Sequence, residues 1–83
     1  MPIMKSLRTP EHRALVALLI TAREKAGLTQ QQLASQLGRP QSYVAKYEGG
    51  ERRLDVVEFI DIARALNIEV GRAVREVAAK YQA

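Results

Sequence analysis

Leu28-Thr29-Gln30-Gln31-Gln32-Leu33-Ala34-Ser35-Gln36-Leu37-Gly38-Arg39-Pro40-Gln41-Ser42-Tyr43-Val44-Ala45-Lys46-Tyr47-Glu48-Gly49-Gly50 is the stretch that decides the fold. Thr29 is a helix N-cap, and Gln32 three residues on completes a capping box. Leu33, Ala34 and Leu37 form an inward face, and Gly38 ends the helix. A second short helix runs from about Pro40 or Gln41 to Glu48, with Val44 and Tyr47 inward, until Gly49-Gly50 stops it. Two short helices joined by a tight glycine-containing turn are the sequence form of a helix-turn-helix. Ala34 is the small residue such a crossing needs, and Gly38 is free to adopt the left-handed backbone of the turn. An ordinary helical hairpin satisfies the same pattern, so periodicity alone leaves both readings open.

Working outward, Thr9-Pro10-Glu11 marks an earlier helix start: an N-cap, a proline in the first turn and an acid near the positive dipole end. Leu15, Leu18, Leu19 and Ala22 recur at helical spacing. Gly27 closes that helix. Downstream, the loop Glu51-Arg52-Arg53-Leu54 leads to Asp55, a second capping-box start with Glu58. Phe59, Ile62, Ala63 and Leu66 make its buried stripe, with Asn67 just past its end. A last helix over 70–81 carries Val70, Val74, Val77 and Tyr81. No segment alternates like a strand. The expectation is an all-α, five-helix domain over 9–83, preceded by a flexible N-terminal arm, 1–8.

The 83 residues suffice for one domain, whose core alone supplies only a few kcal/mol. With no cysteine, disulfides and thiolate metal sites are excluded, and the single His12 makes no zinc site alone. Oligomerisation is the expected reinforcement. The 13 basic and 9 acidic residues give a net charge of +4. No acid occurs between Glu24 and Glu48, whereas Lys25, Arg39 and Lys46 do, so the positive field sits in mid-chain. That suits an anionic partner such as nucleic acid. The apolar run from Ala14 to Ile20 is too short to span a bilayer, and the start of the chain lacks a signal-peptide pattern. A cytoplasmic location is the default expectation.

The stretch from Leu28 to Gly50, continued by Ile62-Ala63-Arg64-Ala65-Leu66, resembles the phage-repressor, or Cro-like (XRE), helix-turn-helix family. The resemblance covers residues 11 to 70 and implies a lambda-repressor-like DNA-binding domain. Two departures stand out. Pro40 replaces the Ser or Thr cap before the recognition helix, so that helix is expected to start a residue early with Pro40 in its first turn. Arg39 replaces the apolar residue of the turn and is expected to point outward to phosphate.

The resemblance also implies roles. The third helix of this fold lies in the major groove with its first residues at base edges. Gln41, Ser42 and Lys46 fall at the family's base-reading positions, with Tyr43 expected on the same exposed face. A glutamine amide pairs bidentately with adenine, a lysine favours guanine acceptors, serine tolerates several bases, and Tyr43 suits a thymine methyl or a phosphate. Gln30, at the start of the second helix, matches the family glutamine that bonds a phosphate. Arg39, Arg52 and Arg53 flank the recognition helix as further phosphate contacts. Arg23 and Glu48 match a structural ion pair that pins that helix.

No catalytic constellation or cofactor loop is present, and His12 is expected at an exposed helix start, so no enzyme activity, cofactor or small-molecule ligand is expected. The expected function is a sequence-specific regulator, a repressor, that binds a pseudo-palindromic operator in double-stranded DNA as a homodimer. The stripe Val70, Val74, Val77 and Tyr81 is the expected dimer interface, with Ala73 and Ala78 allowing close approach. The alternative is an antitoxin-type helix-turn-helix protein that grips a toxin as well as DNA.

Overall fold

The computed structural model describes residues 9–80. The proposed arm, 1–8, and Tyr81 lie outside them. Five helices follow in order: α1 (Pro10–Lys25), α2 (Gln30–Leu37), α3 (Gln41–Glu48), α4 (Val56–Ala65) and α5 (Val70–Lys80). The described residues contain no strand. The all-α, five-helix expectation holds.

Local chemistry sets the boundaries. Thr9 caps α1 through the His12 N–H. Both capping boxes close, Thr29 with Gln32 on α2 and Asp55 with Glu58 on α4. Gly38 ends α2 at φ 68°, where a Cβ costs roughly 1–2 kcal/mol. Asn67, at φ 58°, is the single non-glycine residue among those described with a left-handed backbone, at the end of α4.

Pro40 departs from expectation. It is not the first residue of α3 but its N-cap, at φ −69° and ψ 155°, with no side-chain hydrogen bond to the helix. Its carbonyl still accepts from the Tyr43 N–H at 3.0 Å, which starts the helical ladder one residue later.

The core holds Leu19, Leu33, Val44, Tyr47 and Ile62, each with no exposure, packed with Ala34, Phe59, Ala63 and Leu66. It lies where α2 packs on α3 and α4, while α1 reaches α3 and α5. Leu15, Leu18, Ala22 and Leu37 pack around it, half-buried. Two expectations fail here. His12 is buried, not exposed, and it is the sole polar core residue among those described. Ala73, expected to admit a partner helix, is instead the buried residue of α5, consumed by the monomer's own core.

Candidate nucleic-acid interface

The site is built on the first residues of α2 and α3. Gln30 and Gln41 each open a helix, and the short Gly38 turn brings their side chains together: the Gln41 Nε2 donates to the Gln30 Oε1 at 2.9 Å. Gln30 Nε2 in turn donates to Glu48 Oε1, also at 2.9 Å. Behind it, Arg23 donates from Nε and Nη2 to the two Glu48 oxygens, at 2.8 and 3.1 Å. The remaining Arg23 Nη1 donates to the Leu28 carbonyl at 2.8 Å, which ties the pair to the α1–α2 loop. The Arg23 and Glu48 side chains are only 13% and 6% exposed. A connected chain therefore runs from a nearly buried ion pair out to an exposed amide. The bond to Glu48 holds the Arg23 guanidinium more firmly protonated than usual.

On the same short helix, Gln41, Ser42 and Lys46 are exposed, whereas Tyr43, Val44 and Tyr47 are buried. Tyr43 is thus not on the exposed face. Its ring meets Tyr47 edge-on, with centroids 5.8 Å apart at 76°. Two guanidinium carbons stand over it, Arg39 at 4.6 Å and Arg52 at 4.9 Å from the centroid, inside cation–π range. Burial, then the nearby Glu58 charge, raises the Tyr43 phenol. Arg52 also pairs with Glu58 at 3.0 Å. The Asp55 backbone bond, followed by the Arg52 bond, holds the Glu58 carboxyl below its usual range. Arg53 is exposed, and its charge acts on His12.

Sequence reasoning brought Arg23 to Glu48 and put Gln30 at the start of α2 as a phosphate contact. It missed the Gln30–Gln41 bond and the two arginines on Tyr43. The inward position of Tyr43 had a signal, because it precedes Tyr47 by four residues and so shares its helix face, but the two arginines had none.

At the far end of the chain, the expected interface stripe divides. Val70 packs half-buried against the core, Val74 is 53% exposed, and Val77 lines a groove of about 650 Å³ between α1 and α5. Tyr81 lies outside the described residues. Among the described residues, no group of His, Asp and Glu side chains is arranged to hold a metal ion, and no helix is long and apolar enough to cross a membrane.

Residues 19–72, from mid-α1 into α5, match the helix-turn-helix family model. This chain belongs to the XRE-type helix-turn-helix family. A solved XRE-family-like protein from Pseudomonas syringae pv. tomato is 44% identical over 87% of this chain and 88% of its own, with a TM-score of 0.80. The clp gene regulator ClgR of Corynebacterium glutamicum is 25% identical over 83% of this chain and 73% of its own, at a TM-score of 0.73. The restriction-modification controller protein C.Esp1396I, solved as a tetramer with its 35 base-pair operator, shares 16% identity over 88% of this chain and 96% of its own. At a TM-score of 0.76 that likeness is one of fold. Among curated proteins none is significantly similar to this chain. The XRE-type assignment makes the α2–turn–α3 unit the helix-turn-helix and α3 its second helix.

Proposed function

We propose that this XRE-type protein is a sequence-specific DNA-binding regulator, acting as a repressor, that places α3 in the major groove. The observation that carries this reading is the bonded chain from Arg23 to Gln41. It holds one exposed amide rigidly at the start of α3, where this motif meets base edges. A preorganised side chain loses less freedom on binding than a free one. Ser42 and Lys46 extend the readout along the exposed face. Gln30, Arg39, Arg52 and Arg53 supply the phosphate contacts that set register. Tyr43 serves as the platform on which Arg39 and Arg52 rest.

A single recognition helix buries too little surface for tight specific binding, so the active species is a homodimer reading two half-sites. The exposed Val74 and the groove beside Val77 are the apolar surfaces left for that contact. Capture of genomic fragments at rising salt tests the function. A small set of fragments retained over competitor DNA supports it, and uniform loss of all fragments alike overturns it.

A further inference from the structure

Ala14, Ala17, Leu18, Thr21 and Lys25 recur three or four residues apart and so form one stripe of α1. Against α5 this stripe leaves a groove of about 650 Å³, a volume in the range of sites that hold a small organic ligand. The groove floor is apolar, built from Ala14, Ala17, Leu18, Ala22 and Val77. Charge on its rim is one-sided. Of the basic residues on α1 and α5, Arg23, Arg72 and Arg75 pair with Glu48, Glu76 and Glu69. Arg13, Lys25 and Lys80 pair with no carboxylate among the described residues, and these three line the groove. Glu76, the acid that lines it, is already held by Arg72 at 3.4 Å.

An apolar floor under an uncompensated cationic rim selects one class of occupant. A cation is repelled, and a neutral apolar molecule leaves the three charges unused. A single-chain amphipathic anion lays its alkyl chain on the floor, where burial is favourable, and sets its head among the cations. The Lys and Arg stems flank the chain while their charged ends stay in water beside the head. We propose that the α1–α5 groove is a binding site for a monomeric long-chain carboxylate. No local pattern records such a site, because α1 and α5 meet only in the folded chain, so the absence of a small-molecule ligand expected from the sequence does not carry over. The groove shares no residue with the candidate DNA-facing set, and the site stands apart from that reading. The dimer put forward above uses the same groove, so a bound carboxylate displaces the second copy and lowers DNA affinity. That consequence rests on the dimer reading; the site does not.

Calorimetric titration of the full chain without DNA tests the site. Dodecanoate below its micelle-forming concentration is the probe, and dodecyltrimethylammonium is the control of opposite charge. Ala17→Phe and Thr21→Phe each place a ring in the groove from an exposed position, and the second covers the case in which the first does not fold. Arg13→Gln/Lys25→Gln/Lys80→Gln removes the cations, and helicity is checked for every variant. The expected result is saturable uptake of one dodecanoate per chain, with a preference over the ammonium on the order of tenfold. Both ring variants are expected to lose uptake, and the triple variant to lose the preference. Binding that does not saturate, equal binding of the two probes, or ring variants that bind as the parent does would overturn the proposal. So would no uptake by the parent, the outcome expected if a second copy or residues 1–8 fill the groove instead.

Discussion

Arg23 and Glu48, 25 residues apart in sequence, meet through two parallel hydrogen bonds while almost wholly shielded from water. The fork geometry ties α1 to the last residue of the helix that carries the candidate readout. Removing one partner leaves the other charge shielded and uncompensated, at a cost of about 3 kcal/mol. Thermal melts of Arg23→Ala, Glu48→Ala and the double variant are expected to show strong non-additivity, the double losing little more than either single. Strict additivity would mean the two side chains act independently.

Arg39 and Arg52 share the Tyr43 ring but differ in what else they hold. Arg39→Ala is expected to weaken binding to all DNA sequences alike and lower the slope of affinity against salt by about one. Stability should change by less than about 1 kcal/mol, since the residue is exposed. Arg52→Ala removes the Glu58 partner as well, so it should also lower the melting temperature. Paired salt titrations and melts check both. A change in base preference for Arg39→Ala would contradict a phosphate role.

His12 predicts a pH dependence of stability. Burial, then the Arg53 charge, lowers its pKa from 6.5 in the folded chain. The unfolded chain therefore binds a proton more readily, and stability is full above the unfolded value and falls as pH drops below it. Glu58, whose carboxyl is held low, loses its contribution only in the acid range below 4.5. Melting temperature is expected to decline between pH 7.5 and 5.5, and His12→Leu should flatten that window. A wild-type curve flat across it would exclude a buried neutral imidazole.

Most of the fold was legible because its helix ends are written in short-range chemistry. Thr29 with Gln32, Asp55 with Glu58, and Gly38 act within a few residues of themselves, so these caps and this turn were placed correctly, whereas Pro40 caps α3 instead of opening it. The candidate site was legible where it followed the family pattern, as for Arg23 with Glu48. It was not legible where tertiary packing decides. The four-residue spacing to Tyr47 marks Tyr43 as inward, but nothing local shows it clamped under two arginines, because Arg52 comes from a loop beyond α3. His12 likewise follows a helix cap that reads as exposed, and only the packed fold buries it. Ala73 was expected to admit a partner helix, but it is buried in the subunit's own core, and the spacing of small residues along α5 does not say which neighbour covers them.

The exposed Val74 is the residue on which assembly is predicted to turn. In sedimentation at micromolar concentration, the wild type is expected to be a dimer and Val74→Glu a folded monomer. A charge at a 53% exposed site should cost the isolated subunit less than about 1 kcal/mol. A wild type that stays monomeric and binds DNA one subunit at a time would contradict the dimer.

The central claim is that α3 reads bases through Gln41, and selection of bound sequences from a random DNA pool tests it most directly. The wild type is expected to enrich a two-fold symmetric motif with half-sites about one helical turn apart. Gln41→Ala should enrich the same motif with preference lost at one position in each half-site, at a cost of roughly 1–3 kcal/mol in affinity. An unchanged motif from Gln41→Ala, or no motif from the wild type, would contradict the account.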